Sequence, residues 1–189
     1  MKRVRLLCHL LALSLIVAAC QQSQPEPAAP QRLESPELQL ALASLPAPFE
    51  EISSTDDSWT FRAPGEAADG TLVVTAAPEA AGSINLVDSV KARQAWFESA
   101  AEGQYFGNRE LGGPFGTIYT ARGKYAGDAG VVEETWAYAI HPAAYRLLSI
   151  QYTYPTGESG TRVEQLLEFL GEIEPLGSGG DAETSDSSG

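Results

Sequence analysis

The sequence predicts an α+β fold: a single domain in which a mainly antiparallel sheet of about six to seven strands is packed by two main helices. Two observations predict it. Apolar residues alternate with a period of two in seven runs separated by turn residues, the pattern of half-buried strands. In two other stretches, apolar residues recur at steps of three and four, which indicates helices with one buried face.

The predicted strands follow one another through short turns. Residues 112–116, 127–130 and 141–144 suit hairpins, so the last four strands should form a meander. The strands are predicted at residues 49–53, 58–63, 71–76, 105–111, 117–125, 131–140 and 145–154. Three sets of same-face residues are expected to pack on the helices: Trp59 and Phe61; Val132, Trp136, Tyr138 and Ile140; and Leu148, Ile150, Tyr152 and Tyr154.

The first main helix is predicted at residues 86–101, with Asn85 and Asp88 suited to its N-terminal cap. The second is predicted at residues 162–173, where Thr161 and Glu164 are spaced as a capping box. A short additional helix is expected to open at Ser35-Pro36 and end at Pro46, burying Leu38, Leu42 and Leu45.

Residues 1–19 have the three zones of an export signal. Lys2, Arg3 and Arg5 are followed by an apolar stretch from Leu6 to Val17 and by small residues before Cys20. The apolar stretch is shorter than the roughly 20 residues that a membrane-spanning helix needs. A cleaved signal is therefore favoured over a permanent span.

Val17-Ala18-Ala19-Cys20 resembles the lipobox of bacterial lipoproteins, which implies that Cys20 is lipidated and becomes the new N-terminus. An ordinary cleaved signal that happens to precede a cysteine is the alternative. Under that alternative Cys20 would have no disulfide partner, because the chain's other cysteine, Cys8, lies inside the signal. We therefore expect an exported chain whose partner is a membrane, held through lipid in the cell membrane or the outer membrane.

Three further segments follow the signal. Residues 20–35 contain the lipidation site and a Pro-rich linker, residues 36–176 form the folded domain, and residues 177–189 are an acidic tail without large apolar residues. The formal charge is −13, and loss of three basic residues with the signal makes it −16. A chain this acidic lacks the clusters of basic residues that bind phosphate backbones. We therefore expect no nucleic acid partner.

The order of elements resembles the PsbP and Mog-like family of small α/β domains. The resemblance is carried by the early strand pair with Trp59 and Phe61, then residues 72–75, the middle helix, the meander and a closing helix with Leu166, Leu167, Phe169 and Leu170. It covers residues 49–175. Known members act mostly in binding, assembly or as chaperone-like proteins, so the resemblance implies a non-enzymatic role.

Motifs of catalysis are sparse. His141, the only histidine after the signal, precedes Pro142 in a predicted turn and is interpreted as a turn residue. The carboxylate pairs Asp56-Asp57 and Glu133-Glu134 suit acid–base chemistry or calcium, but neighbours on a strand point to opposite faces. Turn or solvent-exposed roles are therefore favoured for all four. No catalytic residue, metal site or cofactor is predicted.

Two aromatic residues are candidates for a partner surface. Trp96 lies beside Phe97, off the main apolar stripe of the middle helix, and is expected to be partly exposed. Phe115 is expected at the exposed tip of the loop at residues 112–116, although an ordinary hairpin loop is the plainer interpretation. The favoured function is non-catalytic binding of an envelope protein or small ligand. The alternatives are a cell-envelope hydrolase and a purely structural envelope protein.

Overall fold

A seven-stranded antiparallel sheet forms the centre of the structure, a computed structural model that describes residues 32–78, 84–128 and 130–176. With strands numbered in chain order, its members are β3 (Glu50–Ser54), β4 (Ser58–Ala63), β5 (Gly70–Ala76), β6 (Gln104–Gly113), β7 (Gly116–Gly127), β8 (Gly130–Ile140) and β9 (Leu147–Pro155), whereas the first, second and tenth strands belong to a second sheet. The spatial order of the seven strands is β3-β4-β5-β9-β8-β7-β6. All seven predicted strands and the four-stranded meander are confirmed.

A second, three-stranded sheet was not predicted. It has the order β1 (Leu33–Ser35), β2 (Leu40–Leu42) and β10 (Ile173–Pro175), with both pairs antiparallel. The short helix expected after Ser35 is therefore wrong. Residues 36–39 form a tight turn instead, in which the Gln39 amide donates to the Pro36 carbonyl over 3.1 Å and Gln39 has a φ of 57°.

The folded part begins earlier than the predicted linker boundary. Leu33, Glu34 and Ser35 pair with β2, and Ser35 is fully buried. Alternation over three residues is too short a pattern to distinguish a strand from a linker. The predicted export signal, Cys20, most of the linker and the acidic tail lie outside the described residues.

Both main helices are confirmed, as α1 (Leu86–Ser99) and α2 (Ser159–Glu172). Asn85 caps α1 as predicted, because its side chain accepts from the Val87 amide at 3.0 Å. The predicted capping box of α2 is wrong, since this helix starts one turn earlier, after Glu158, which makes no side-chain capping bond. Within the described ranges, no helix is both long enough and apolar enough to cross a membrane.

The two faces of the large sheet have different covers. One face, here called the core face, packs on α2 and the small sheet. Its apolar cluster includes Trp59, Phe61, Ile150 and Tyr152 of the sheet and Phe169 of α2, all at most 3% exposed. Trp59 and Phe61, and the β9 set from Leu148 to Tyr154, face this core as predicted.

The opposite face packs on α1 across β6, β7 and β8. Phe97 is fully buried there, and its ring lies directly over Gly123 of β7, where an added Cβ would come within 2.6 Å of the ring. Val90, Ala121 and Tyr138 form the smaller apolar cluster, with Trp136 packed against it.

Candidate functional site

Incomplete cover on the core face leaves a groove between α2 and the β6–β8 end of the sheet. Seven strands spaced by about 4.8 Å make a sheet about 29 Å wide, whereas one helix with its side chains is about 10–12 Å across. The apolar stripe of α2, including Leu166 and Phe169, packs into the main core formed with β4, β5 and β9. The face of β6 and β7 is therefore only partly covered.

The groove consists of two adjoining cavities of about 150 and 140 Å³. Leu111 of β6 and Leu167 of α2 line both cavities and so form the junction between them. The first cavity also has Arg109, Thr120, Arg122 and Thr135 in its lining, whereas the second ends at the Gly112–Pro114 turn beside Leu170. Phe106 and Leu167, 37% and 39% exposed, are apolar rims of the first cavity.

Strand register places the two arginines on one face of the sheet. Arg109 lies directly opposite Thr120, whereas Arg122 lies opposite Gly107 beyond a register shift between Tyr105 and Gly107. The Arg122 guanidinium packs over the Phe106 ring with its carbon 5.1 Å from the ring centroid. The Thr120 hydroxyl accepts from the Arg109 amide at 3.2 Å, which ties this part of β6 to β7.

The groove arginines carry charge that the rest of the domain does not neutralise. Within the described ranges, neither Arg109 nor Arg122 has a carboxylate within ion-pair distance, although the whole chain has a formal charge of −13. Among the other basic residues of the described ranges, Arg32, Arg62, Lys91, Arg93 and Arg162 are ion-paired, whereas Lys124 and Arg146 are not. An unpaired arginine at an apolar cavity favours an anionic ligand.

A buried carboxylate adjoins the cationic end. Glu133 of β8 is 8% exposed, faces the same side as Thr135, and has its Oε2 atom without a hydrogen-bond partner among the described residues. Burial raises the pKa of the Tyr154 hydroxyl, its hydrogen bond with Thr135 lowers it, Glu133 raises it and Arg122 lowers it. Strand pairing sets Thr135, two residues from Glu133, directly opposite Arg122 and sets Lys124 directly opposite Glu133.

Glu134 points to the other face and is fully hydrogen-bonded. Its side chain is 1% exposed and lies 3.9 Å from Arg93 Nη1. Its four donors are Trp136 Nε1 at 2.6 Å, Tyr125 and Thr153 hydroxyls at 3.3 Å, and the Gln151 amide. The opposite-face geometry predicted for Glu133 and Glu134 is correct, but the solvent-exposed role is wrong, because both side chains are buried and the burial of Glu134 is compensated by its hydrogen bonds. Asp56 and Asp57 are exposed in a turn.

Trp96 borders a more open depression of about 310 Å³ on α1, lined by Ser89, Ala92, Arg93, Trp96 and Tyr138. Trp96 is 39% exposed and packs edge-on against Tyr125 with ring centroids 4.7 Å apart. Arg93 here is neutralised by Glu134 and stacks 3.7 Å from the Trp136 centroid. A partner role for Trp96 stays a prediction, and the depression offers a ligand less unpaired charge than the groove.

Phe115 does not form an exposed tip. It is 7% exposed, belongs to the main core and lies 6.2 Å from the His141 ring. The predicted exposure is wrong because the two-residue turn between β6 and β7 folds its aromatic side chain onto apolar neighbours. Phe115 is therefore a packing residue in this structure.

His141 is fully buried at the end of β8 and organises the turn into β9. Its Nδ1 atom accepts from the amides of Ala143 and Ala144 at 3.2 and 3.0 Å, and its Nε2 atom lies 2.8 Å from the Gln39 carbonyl. With Nδ1 accepting, Nε2 carries the proton and donates to Gln39. The imidazole thus joins the large sheet to the small one and has no free nitrogen for catalysis.

Buried tyrosines predict a loss of stability in alkaline solution. Burial raises the pKa of Tyr138, Tyr152 and Tyr154 above the ordinary value of about 10. Above about pH 10 the unfolded chain releases protons that the folded chain retains, so the free energy of unfolding should fall as pH rises through the folded values. It should be flat from neutral pH to about pH 9.

Urea unfolding of the wild type and of Tyr154→Phe across this range measures the effect. The variant should decline less steeply, because one tyrosine hydroxyl no longer titrates. Parallel curves for the two proteins would show that Tyr154 does not contribute.

The groove can bind but has few groups for bond making. General acid–base catalysis needs groups that converge on one point, yet Glu134 and His141 are both consumed by hydrogen bonds elsewhere. In the described part of the chain, no three His, Cys, Asp or Glu side chains are grouped so that they could hold a metal ion.

The groove arginines were not predicted from the sequence. The feature that could have indicated Arg109 is the tight hairpin between β6 and β7, because its register sets Arg109 opposite Thr120.

Comparison with known proteins shows the fold. No protein-family model matches the chain, and no curated protein matches it either. Among solved structures, LpqN of Mycobacterium tuberculosis, involved in cell envelope biogenesis, has a TM-score of 0.55 at 11% identity and covers 80% of this chain and 86% of its own. The Ran-binding protein Mog1p of Saccharomyces cerevisiae has a TM-score of 0.54 at 11% identity, covering 78% and 96%. The chain thus has the Mog1/PsbP-like fold that its element order predicts.

Proposed function

We propose that this chain is an exported lipoprotein, held at a membrane by lipid on Cys20, whose domain binds an envelope ligand in the groove between α2 and β6–β8. The single observation that carries the binding role is the pair of arginines beside an apolar cavity, Arg109 and Arg122, neither of which has an ion pair with a residue of the described ranges. Such a combination of a few polar groups with an apolar lining is typical of ligand sites.

The structural neighbours support the setting at the level of fold. LpqN is involved in cell envelope biogenesis, Mog1p binds Ran, and neither description names an enzymatic activity. A binding domain outside the cytoplasm fits the export signal predicted at residues 1–19 and the Pro-rich linker.

A hydrolase is less well supported than a binding protein. Acid–base cleavage by paired carboxylates needs two of them on one site, and Glu133 and Glu134 face opposite sides of β8. A purely structural protein has no need of uncompensated arginines in a cavity. The geometry therefore favours non-catalytic binding.

The Cys20→Ala variant directly tests whether the chain is attached to a membrane through lipid on this residue. With the acceptor thiol removed, the chain should move from the membrane to the soluble fraction, because each buried acyl CH₂ contributes about 0.8 kcal/mol to membrane attachment. Fractionation with intact-mass measurement checks this. Cys8→Ala is the matched control and should leave attachment unchanged. A Cys20→Ala chain that still sediments with membranes would refute lipid attachment at this residue.

Binding in the groove is tested by site-specific photocrosslinking in intact cells. A benzoylphenylalanine at Leu167, 39% exposed on the groove rim, should yield an adduct of defined mass, and Arg122→Gln should reduce its yield. The same group at Ile52, 58% exposed on the distant edge strand β3, is the control. Equal labelling at both positions, or none at Leu167, would contradict a ligand site in the groove.

A further inference from the structure

The groove has a gradient of polarity along its length. Starting from the β6–β7 turn, residues that face it pass from Leu111 and Ile118, directly opposite each other, to Arg109 and Thr120, and then to Arg122. Ile118 is 2% exposed, whereas Arg122 is partly exposed. One end of the groove is therefore aliphatic and the other is cationic.

The dimensions of the gradient suit an extended chain. Four residues of β7 separate Ile118 from Arg122, which corresponds to about 13 Å along the strand. The two cavities meet at Leu111 and Leu167 and are small, about 150 and 140 Å³. A cavity of about 150 Å³ encloses a group the size of benzene, so this groove has room for one narrow alkyl chain rather than for two.

We propose that the groove binds a single-chain fatty carboxylate, with its carboxylate at Arg122 and Arg109 and its alkyl chain along Leu111 and Leu167. This inference rests on the proposed binding function and names the ligand class of the same site. Arg122 is prepared for a carboxylate because its guanidinium is packed on the Phe106 ring and makes no ion pair with any carboxylate in the described ranges.

The neighbouring Glu133 selects a head group of single charge. Its carboxylate is 8% exposed and lies on the core face two residues from Thr135, which is directly opposite Arg122, whereas Lys124 lies directly opposite Glu133 itself. A doubly charged phosphate at Arg122 meets a stronger repulsion from Glu133 than a carboxylate does. This like charge favours a fatty carboxylate over a phosphate-bearing lipid in this groove.

The second arginine gives the head group a partner on the neighbouring strand. Arg109 is exposed and faces the groove one strand away from Arg122, opposite Thr120. In the proposed complex the two guanidinium groups, on adjacent strands, contact one carboxylate. The more exposed Arg109 should contribute less than Arg122, because water screens it more strongly.

Equilibrium titration of the full chain carrying Cys20→Ala tests the ligand class. Probes are dodecanoate, dodecyl phosphate, the neutral dodecanol and the shorter octanoate, and the readout is isothermal titration calorimetry. Dodecanoate should bind most tightly of the four, and each methylene between octanoate and dodecanoate should tighten binding roughly two- to fourfold.

Groove variants should change these affinities in opposite directions. Arg122→Gln should raise the Kd for dodecanoate roughly tenfold, and Arg109→Gln roughly threefold. Glu133→Gln should lower the Kd for both anionic probes, and that for dodecyl phosphate most, because it removes the repelling charge. Leu167→Ser, at an exposed position, should weaken the dependence on chain length. Lys91→Gln on α1 removes the same charge far from the groove and should have no effect.

Several results would overturn the inference. Dodecanol binding as tightly as dodecanoate, or dodecyl phosphate binding more tightly, would contradict the proposed ligand class. Displacement of dodecanoate by an apolar peptide with a free C-terminal carboxylate would indicate a peptide ligand instead. Equal effects of Arg122→Gln and Lys91→Gln would show that Arg122 does not contact the carboxylate. Loss of dodecanoate binding in Arg122→Gln counts only with an unchanged thermal midpoint, and Arg122→Lys should restore part of it.

Failure of this inference is distinguishable from failure of the proposed function. If dodecanoate does not bind while the crosslinker at Leu167 still gives an Arg122-dependent adduct, the ligand class is wrong and the groove remains the binding site. If dodecanoate does not bind and the crosslinker at Leu167 gives no Arg122-dependent adduct, both the ligand class and the proposed binding site are wrong.

Discussion

Phe169→Ala is expected to cost about 3–5 kcal/mol of unfolding free energy, the largest effect of any single substitution considered. Phe169 is fully buried on α2, and its ring lies 5.3 Å from that of Phe49 and 5.1 Å from that of Phe61. The change removes aromatic contacts to β4 and to the residue that precedes β3, and it leaves a cavity under the helix that forms one wall of the groove. Urea denaturation measures the loss.

Phe106→Ala is the matched control for this prediction. It removes the same side chain from a site that is 37% exposed, where the main loss is its contact with Arg122. Its cost should be about 1 kcal/mol or less. Similar costs for Phe106→Ala and Phe169→Ala would contradict the burial described for α2.

Arg162→Met is expected to cost about 2–4 kcal/mol, because it removes the donor for several buried acceptors at once. Arg162 is 1% exposed and pairs with Glu158, whose Oε2 lies 2.7 Å from Nη2. Its guanidinium also donates to the carbonyls of Ala63, Pro64 and Ala68 and to the Tyr152 hydroxyl. It thereby joins the first turn of α2 to the segment between β4 and β5.

Gly65 provides an independent check on this network. A Cβ there would lie 1.8 Å from Arg162 Nη2 and 2.5 Å from the Ala68 carbonyl oxygen. Gly65→Ala should therefore reproduce part of the loss and cost less in the Arg162→Met background, where only its clash with the Ala68 carbonyl remains, as measured by a double-mutant cycle in urea. Full additivity of the two changes would show that they act through separate contacts.

The long strands and both main helices could be predicted because their apolar patterns extend over many residues. Residues 148–154, for example, alternate strictly enough to assign both faces of β9. The three-residue strands β1, β2 and β10 could not be predicted, since their pairing depends on contacts between the two ends of the domain. Leu40, Ala41 and Leu42 are all buried, so this segment shows no alternation.

Much of the candidate site depends on partners far apart in sequence. Glu133 and Glu134 were expected in solvent, yet Glu134 is held by Gln151 and Thr153 of the next strand. Strand alternation put the two glutamates on opposite faces, but it gives no information on which residues distant in sequence will cover them. The burial of Phe115 was missed for the same reason, because the core residues that cover it come from other segments.

The groove could be predicted from the sequence only in part. The hairpin register that sets Arg109 opposite Thr120 follows from the turn at Pro114-Phe115, whereas the shift that sets Arg122 opposite Gly107 does not. The approach of Val163 and Leu167 to these strands depends on how α2 packs, which no local pattern contains.

The central claim is that the groove between α2 and β6–β8 is the binding site. Titration of the isotope-labelled chain carrying Cys20→Ala with dodecanoate, followed by methyl and amide NMR, tests it most directly. We predict the largest shifts at the methyl groups of Leu111, Val163 and Leu167 and at the Arg122 side chain, with little change at the Trp96 indole. Largest shifts at Trp96 and the α1 depression, or none at the groove, would contradict the claim.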